Sequence, residues 1–196
     1  MNALLLSGGM DSTALAYWLH PDIAITVDYG QRSAAGEVRA SFAVCKTLSI
    51  EHATISADCS AIGTGPLSGH PQISAAPVPE WWPFRNQLLV TLAGAYAVRR
   101  GVKQIYVGSV KPDGLHADGR HEFYDLLSRV MEYQEGCISV SAPAIKLTTV
   151  ELIREANVPW EILALAHSCH VAEFACGTCG GCSKYIAVRE ALGVAI

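Results

Sequence analysis

Short apolar runs alternate along the chain with longer segments whose apolar positions recur every three or four residues. The short runs are bounded by turn residues and rich in Val, Ile or Leu, which is typical of buried strands, whereas the periodic segments are typical of helices. Strands or extended segments are predicted at 3–6, 23–28, 52–55, 104–108 and 138–143. Because such alternation builds a parallel sheet covered by helices on both faces, we expect an α/β fold with a doubly wound parallel sheet.

The periodic segments also predict which apolar side chains face the core. Helices are predicted at 13–19, 34–48, 85–99, 123–130, 148–156, 159–165 and 184–192. The apolar side chains expected on their buried faces include Leu15, Trp18, Leu19, Phe42, Leu88, Leu92, Leu126, Val130 and Ile186.

The first strand ends in a loop that suits a phosphate group. The sequence Ser7-Gly8-Gly9-Met10-Asp11-Ser12 leads directly into the first helix. Adjacent glycines allow a tight turn and a close backbone approach, and Asp11 or Ser12 can cap the helix while its first N–H groups stay free for an anion. The spacing lacks the Gly-Lys-Ser/Thr of a Walker loop and the three glycines of the dinucleotide motif. An ordinary strand-to-helix turn is the alternative interpretation.

Ser-Gly-Gly-x-Asp-Ser resembles the pyrophosphate-binding loop of the N-type ATP pyrophosphatases, which have the adenine nucleotide alpha hydrolase-like fold. Members of that superfamily cleave ATP between its α and β phosphates, attach AMP to an acyl oxygen and let a nitrogen or sulfur nucleophile displace it. The resemblance implies that ATP binds here and that Asp11 reaches its Mg²⁺ ion. The residues expected to line the nucleotide site around this loop are Leu6, Ser7, Gly8, Gly9, Met10, Asp11, Ser12, Thr13, Ala14, Leu15 and Ala16.

The ends of the second and fourth strands add candidates for the nucleotide site. Asp28, Gln31 and Arg32 follow the second strand, and Gly108 closes the fourth. Ligands of doubly wound, Rossmann-like sheets bind beyond the carboxyl ends of the strands, near the point where the strand order reverses. We expect backbone groups there to meet adenine, with Gln31 and Arg32 close to phosphate or ribose. An exposed polar loop with a solvated arginine is the alternative.

Two further segments carry candidates for binding a second substrate. Arg85 and Asn86 open a helix although a cation is unfavourable at a helix N-terminus, which indicates a polar role. In the loop 111–121, Asp118 can accept two hydrogen bonds from the N–H edge of a guanine-like ring, and Arg120 can pair with a carboxylate. An Asp-Gly turn followed by an arginine at a helix start is the alternative.

The connection 57–84 is long for a compact domain and rich in Ser, Gly, Ala and Pro. Loops of this kind are usually lids or disordered segments. We expect this one to cover the site and to order partly when substrate binds. Its His70, Trp81 and Trp82 side chains can stack on a planar base, although tryptophans beside prolines are about as often loop anchors.

Four of the seven cysteines lie close together near the C-terminus. Cys169 precedes Cys176, Cys179 and Cys182, whose two-residue gaps and intervening glycines suit a tight metal-binding knuckle. Four thiolates fill the coordination sphere of tetrahedral zinc and leave no position for water, so we expect a structural Zn²⁺ ion. An iron–sulfur cluster and a redox pair or buried thiols are the alternatives.

Composition limits the classes of function. The 196 residues, 51% hydrophobic and 16% charged, suit one well-buried domain with an appendage, and we place an ATP-binding α/β domain at 1–160 and a small helical zinc-binding segment at 161–196. A formal net charge of −4 gives no general attraction for nucleic acid or an anionic membrane. With no signal peptide recognised and no apolar run of the roughly 20 residues that a membrane span needs, the chain is expected in the cytoplasm.

The order of these motifs resembles the 7-cyano-7-deazaguanine synthase family over nearly the whole chain. The resemblance rests on the phosphate loop, Asp28-Tyr29-Gly30-Gln31-Arg32, Arg85-Asn86, Asp118-x-Arg120 and the four cysteines. It implies ATP-dependent conversion of 7-carboxy-7-deazaguanine and ammonia to 7-cyano-7-deazaguanine in queuosine biosynthesis, through an adenylated carboxylate and then an amide, by a homodimer with structural zinc. The catalytic candidates are Asp11, Ser12, Arg85, Asp118 and Arg120.

The acceptor region departs from that family, which leaves alternatives open. Gly119 stands where the family usually has cysteine or serine, and Ser33 where it often has histidine. The main alternative is a paralogue that adenylates a deazaguanine carboxylate but stops at the amide, or joins it to another amine such as one on a protein in a defence or modification system. A non-enzymatic nucleotide-binding module and a tRNA sulfurtransferase of the same superfamily are the other classes; the acidic net charge disfavours the latter.

Overall fold

A parallel five-stranded sheet runs through the computed structural model, which describes residues 1–194. The strands are β1 (Asn2–Leu5), β2 (Ile23–Asp28), β3 (Glu51–Ser56), β4 (Gln104–Val107) and β5 (Ser139–Ser141). They lie in the order β3-β2-β1-β4-β5, with each neighbouring pair parallel. The predicted doubly wound α/β fold is therefore confirmed, and the strand order reverses between β1 and β4, where such sheets bind ligands.

Helices cover both faces of this sheet. They are α1 (Met10–Leu19), α2 (Ala34–Leu48), α3 (Gly65–Ser68), α4 (Arg85–Val98), α5 (His121–Tyr133), α6 (Thr149–Glu155), α7 (Trp160–Leu163) and α8 (Gly180–Ala191). Short 3₁₀ helices occupy Ser60–Ile62, Lys111–Leu115 and Ala117–Gly119. On one face α1 contacts α2, α6 and α7, and α6 contacts α8; on the other face α4 contacts α5. Among the described residues, no helix is both long enough and apolar enough to cross a bilayer.

Two hydrophobic cores lie on opposite faces of the sheet because side chains alternate along a strand. Ala3 of β1 belongs to the core with α4 and α5, whereas the next residue, Leu4, belongs to the core with α1, α2, α6 and α7. Both cores contain fully buried side chains, such as Ile105 on the first face and Leu15 and Leu163 on the second. Each such side chain contributes roughly 1.5–3 kcal/mol of burial free energy. The cores hold the strand ends in fixed positions.

The predicted helix faces were wrong at several positions. The exposed fractions are 37% for Trp18, 57% for Phe42, 62% for Leu126, 58% for Val130 and 39% for Ile186. In α4 the buried positions are Val90, Ala93, Gly94 and Ala97, while Leu88 and Leu92 are half-buried. A Cβ atom at Gly94 would collide with Met131 of α5, so small residues lie where the helices approach most closely. Close packing, and not side-chain hydrophobicity alone, selects the buried stripe.

Helix starts determine where the polar candidates point. The N-cap of α1 is Gly9, so Asp11 and Ser12 lie inside the first turn and do not cap the helix as predicted. Helix α8 begins at Gly180 directly after Cys179, four residues earlier than predicted. The predicted capping box of α6 is confirmed: the Thr148 hydroxyl accepts from the Glu151 amide, and the Glu151 carboxylate accepts from the Thr148 amide.

The connection between β3 and α4 is folded onto the body. Trp82 is 1% exposed and packs edge-on against Tyr29, with ring centroids 4.9 Å apart. The Thr64 hydroxyl donates to the carbonyl oxygen of Trp81 at 2.6 Å. Trp82 is therefore an anchor for this connection and does not offer a free face for a base, whereas His70 is exposed.

Candidate active site

The loop after β1 is held by its backbone. Gly8 has a φ of +75°, and a Cβ atom there would lie 2.8 Å from the carbonyl oxygen of Glu37 in α2. The carbonyl oxygen of Leu6 accepts hydrogen bonds from the hydroxyls of Thr26 and Ser41, at 2.8 and 3.2 Å. Glycine is required at position 8 both by its left-handed conformation and by the contact with α2.

Hydroxyl and N–H groups converge where α1 begins. The Ser7 and Ser12 hydroxyl oxygens are 3.1 Å apart, and the Ser12 hydroxyl donates to the carbonyl oxygen of Gly9 at 3.1 Å. A first helical turn leaves its leading N–H groups without intrahelical partners. From the β4 side, a Cβ atom at Gly108 would lie 3.2 Å from Cα of Ser12, so the loops after β1 and β4 meet here. This arrangement suits a phosphate group.

Asp11 has two partners that the sequence analysis missed. The Thr149 hydroxyl donates to Asp11 Oδ1 at 2.6 Å, and the ammonium of Lys184 donates to Asp11 Oδ2 at 2.6 Å. These partners follow Asp11 by 138 and 173 positions, so no local pattern marks them. Two hydrogen bonds orient a carboxylate that is only 16% exposed. Carboxylate and hydroxyl oxygens are the protein ligands that Mg²⁺ prefers, so Asp11 and Ser12 fit a magnesium–nucleotide complex.

Gln31 holds the loop after β2. Its side chain is 3% exposed; Oε1 accepts from the Tyr29 amide at 2.9 Å, and Nε2 donates to Glu37 at 2.9 Å and to the carbonyl oxygen of Val27 at 3.3 Å. Its expected place close to phosphate or ribose stays a prediction. Arg32 is exposed, and its backbone N–H donates to the carbonyl oxygen of Leu67.

The positive charge of Arg85 acts on two phenols and two carboxyls around the start of α4. Burial raises the pKa of Tyr29 to about 12 and that of Tyr124 to about 12, and it also raises the pKa values of Glu37 and Asp113. The positive charge of Arg85 opposes the shift in all four groups. A guanidinium at this place suits the orientation of an anionic substrate.

The start of α4 is joined to the loop that contains Asp118. The Asn86 side-chain amide donates to the carbonyl oxygen of Asp118 at 2.9 Å. Arg120 is exposed, and its Nε donates to the carbonyl oxygen of Gly114 at 3.0 Å. The structure thus ties the first turn of α4, which contains Arg85, to the backbone at Asp118, and it engages Arg120 within its own loop.

Two exposed apolar side chains in the same region were not predicted. Phe84, the residue before α4, is 78% exposed and has a φ of +54°, which is strained for a non-glycine residue. Leu115, in the 3₁₀ helix of the Asp118 loop, is 83% exposed. An aromatic residue directly before Arg85 was the available sequence signal.

The four C-terminal cysteines form a compact cluster. The sulfur atoms of Cys169, Cys176, Cys179 and Cys182 all lie within 4.8 Å of one another, and the Cys176–Cys182 and Cys169–Cys179 separations are 3.9 Å. Four sulfurs bound at about 2.3 Å to one tetrahedral ion are roughly 3.8 Å apart, so the spacing fits a single metal ion. A four-iron cluster holds each cysteine on a different iron atom and needs wider spacing.

Backbone N–H groups point at these sulfurs. The amides of Thr178 and Cys179 donate to Cys176 Sγ at 3.5 and 3.4 Å, and the His170 amide donates to Cys179 Sγ at 3.4 Å. The hydrogen bonds from Thr178, followed by those from Cys179, lower the pKa of Cys176 to about 6, whereas burial raises the pKa of Cys182 to about 12. Because the thiolate is the metal-binding form, the lowered pKa of Cys176 favours metal binding, whereas Cys182 would lose its proton only on binding a metal.

The cysteine segment also contacts the loop after β1. The His167 amide donates to the carbonyl oxygen of Gly8 at 2.8 Å, and the His167 ring packs on Gly36 of α2. Together with the pair between Lys184 and Asp11, this contact makes the C-terminal segment one wall of the site. A boundary at residue 160 stays a prediction.

Solved structures with a similar fold include a tRNA thiolase and a nucleotide synthetase. A U34-tRNA thiolase from Methanococcus maripaludis matches with a TM-score of 0.53 and 17% identity, over 97% of this chain and 64% of the thiolase. An NMN synthetase from Francisella tularensis matches with a TM-score of 0.51 and 16% identity, over 100% of this chain and 78% of the synthetase. Identities this low show the shared α/β fold alone.

The sequence relatives identify the family, which the structural matches do not. A protein named 7-cyano-7-deazaguanine synthase from Chlorobium chlorochromatii is 33% identical to this chain, over 97% of this chain and 92% of the relative. The protein of that name from Chlorobaculum parvum is 30% identical, over 98% of this chain and 92% of the relative. The protein of that name in Methanospirillum hungatei is 30% identical, over 97% and 94%. The family model for the queuosine biosynthesis protein QueC matches residues 2–190. The chain therefore belongs to the QueC family of queuosine biosynthesis proteins.

Proposed function

We propose that this chain uses ATP to convert 7-carboxy-7-deazaguanine and ammonia into 7-cyano-7-deazaguanine. The observation that carries the proposal is the meeting of two sets of groups at neighbouring strand ends, in a chain of this family. Asp11 and the first turn of α1 form one set, and Arg85 with Asp118 forms the other. The first set suits a triphosphate, and the second suits an anionic, guanine-like acceptor.

The nucleotide set acts by positioning and by stabilising charge. The N–H groups of the first turn, with the hydroxyls of Ser7 and Ser12, would bind the β and γ phosphates, and Asp11 would hold the magnesium ion. Bound Mg²⁺ neutralises negative charge that grows on the departing pyrophosphate. Donors fixed before the reaction stabilise such charge without reorganising during it.

The acceptor set orients the carboxylate. Asp118 accepts from the N–H edge of the ring, and Arg85 directs one carboxylate oxygen at the α-phosphorus. That oxygen bonds to phosphorus as the bond to pyrophosphate breaks; ammonia then attacks the acyl carbon, AMP leaves, and the amide forms. A second ATP adenylates the amide oxygen, and loss of AMP and an N–H proton gives the nitrile. Both rounds depend on positioning and need no nucleophilic side chain.

The cysteine cluster is proposed to hold one structural Zn²⁺ ion. The sulfur separations of 3.9 Å support a single tetrahedral ion over a larger cluster. Elemental analysis of the purified chain tests this: about one zinc and no iron per chain supports it, and iron with acid-labile sulfide contradicts it. A homodimer located in the cytoplasm also stays a prediction, and light scattering that gives the mass of a single chain would contradict the dimer.

The direct experiment incubates the protein with 7-carboxy-7-deazaguanine, ATP, Mg²⁺ and ammonium and follows products by mass. Nitrile together with AMP is the expected result. No AMP under any acceptor condition would remove the adenylation step and with it the enzyme assignment.

The alternative, a related enzyme that stops at the amide or transfers to another amine, is favoured by the acceptor loop. A Cβ atom at Gly119 would overlap the carbonyl oxygen of Asp113, and Ser33 is fully buried with its hydroxyl donating to Glu37 at 2.6 Å. The larger side chains usual in the family therefore do not fit here without rearrangement. Amide as the end product, or a protein adduct of the deazapurine, would select this alternative in the same assay.

A further inference from the structure

The loop that is proposed to bind phosphate contains no cation of its own. Residues 6–16 include one acidic residue, Asp11, and neither lysine nor arginine. A nucleotide tail carries several negative charges, and Asp11 adds another. Amides and hydroxyls, even together with one Mg²⁺ ion, leave part of this charge uncompensated, so a cation from another part of the chain that faces the loop would stabilise the complex.

Lys184 is placed to be that cation. It lies near the start of α8, two residues after Cys182, and its Nζ is 2.6 Å from Asp11 Oδ2. Its side chain is 41% exposed. A lysine ammonium has three donors on a flexible stem, so it can bond to a phosphate oxygen without movement of α8.

Lys184 and Arg85 act on the same cleft. Burial raises the pKa of Asp113; Lys184 and Arg85 oppose this shift, while Asp11 adds to it. Arg39 is engaged elsewhere by Glu173. Lys184 lies at the nucleotide loop, where it contacts Asp11, and Arg85 lies on the acceptor side, at the start of α4.

We propose that Lys184 is a phosphate-binding residue of the nucleotide site, which leaves Asp11 when Mg-ATP binds and pairs with an oxygen of the β or γ phosphate. The exchange frees Asp11 for Mg²⁺, so both charges stay paired throughout. The inference rests on the proposed function of the loop. It also gives the cysteine segment a second role, because the turn that carries Cys179 and Cys182 sets the position of Lys184.

The test measures binding of Mg-ATP by calorimetry, without acceptor. Lys184→Gln is expected to weaken binding about 10- to 100-fold, as loss of a charge-assisted hydrogen bond does. Lys184→Arg keeps the charge and is expected to retain most of the affinity. The matched control is Lys46→Gln in the last turn of α2, which should bind as wild type does. Wild-type affinity should also fall more steeply with salt than that of Lys184→Gln.

A second comparison uses ATP without magnesium. Asp11→Asn releases Lys184 from its partner, so this variant is expected to bind magnesium-free ATP more tightly than wild type, and the gain should disappear in the Asp11→Asn/Lys184→Gln double variant.

Three results would overturn the proposal. The first is a Lys184→Gln variant that binds Mg-ATP with wild-type affinity. The second is an equal loss of Mg-ATP affinity in Lys184→Gln and Lys184→Arg together with a lowered melting temperature. The third is a gain in affinity for magnesium-free ATP that persists in the Asp11→Asn/Lys184→Gln double variant. Absence of any heat with wild-type protein would instead reject the proposed function of the loop, and this inference with it.

Discussion

The two halves of the candidate site are built in different ways. The nucleotide half, residues 6–16 with Gly108, is formed by backbone packed so closely that Cβ atoms at Gly8 and Gly108 would come within 2.8 and 3.2 Å of neighbouring atoms. The acceptor half, Arg85, Asn86 and the loop 111–120, is formed by side chains on partly exposed segments, with Leu115 83% exposed. A half built from backbone tolerates few substitutions, whereas the side chains of Arg85, Asn86 and Asp118 can be exchanged singly to change the ligand. Gly119 is the exception in the acceptor half, because the Asp113 carbonyl oxygen occupies the space beside it.

The largest effect is expected from Asp11→Ala, which removes the acidic group of the nucleotide half. Release of AMP, measured by chromatography, should fall about 10³-fold because the stabilisation of the leaving pyrophosphate is lost. Asp22→Ala is the control, since Asp22 accepts a backbone N–H from Asn2 at the opposite end of the sheet. Near wild-type release by Asp11→Ala would contradict the assignment of Asp11.

Asp118→Asn should affect the acceptor half alone. The KM for the deazaguanine carboxylate is expected to rise about 10- to 100-fold, because a charge-assisted hydrogen bond is lost. The bond from Asn86 to the Asp118 carbonyl oxygen involves backbone and should persist. Calorimetry with Mg-ATP should give wild-type affinity, and a parallel loss there would show that the two halves are not separable.

Cys179→Ser tests the C-terminal cysteine segment, which forms one wall of the site. Loss of one ligand is expected to cost about 3 kcal/mol, which lowers the melting temperature by roughly 10 °C, together with the zinc content. Cys137→Ser, at an exposed thiol outside the cluster, is the control and should change neither quantity. An unchanged melting temperature after metal removal by a chelator would contradict the structural role.

Gly8→Ala compared with Gly101→Ala isolates the cost of close packing. Both glycines have positive φ, at +75° and +70°, but only Gly8 has neighbours within 4 Å of the added Cβ. Urea denaturation should show a loss of about 1 kcal/mol at Gly101 and about 2 kcal/mol at Gly8. Equal losses would mean that α2 does not constrain the loop.

The smallest effect concerns Glu37, a half-buried residue of α2 whose backbone packs against Gly8 of the nucleotide half. Burial raises its pKa and outweighs the hydrogen bonds donated by Ser33 and Gln31. The folded state therefore prefers the protonated form, and this contribution to stability is present below the ordinary value of about 4.3 and is lost as pH rises through the raised pKa. Glu37→Gln should thus become more stable relative to wild type as the pH rises above the ordinary glutamate pKa, as measured by urea denaturation. Parallel pH profiles would contradict the shift.

Local chemistry explains what the sequence predicted well. The strand runs and the Gly8-Gly9 turn depend on residues within a few positions of each other, and the capping box at Thr148 depends on a fixed spacing to Glu151. The four cysteines were likewise found by spacing, and their sulfur atoms lie within 4.8 Å of one another. Such features are determined before tertiary packing acts.

Long-range packing determines the features that could not be predicted from the sequence. The partners of Asp11 come from α6 and α8, and no short motif marks Thr149 or Lys184. The amphipathic pattern identified α2 and α5 as helices, but the buried stripe depends on how closely neighbours approach, so Phe42 and Val130 are exposed. The polarity of Gln31 is visible in the sequence, whereas its burial depends on the packing of the loop after β2 against α2.

The tight packing at Gly119 limits the order in which this acceptor loop can evolve. Because the Asp113 carbonyl occupies the space beside Gly119, serine or cysteine at this position requires a prior shift of the segment 111–115. The segment 111–115 must therefore change first and position 119 second. Series of reconstructed ancestors that follow this order should consist of folded proteins. Series in which position 119 changes first should include proteins that do not fold.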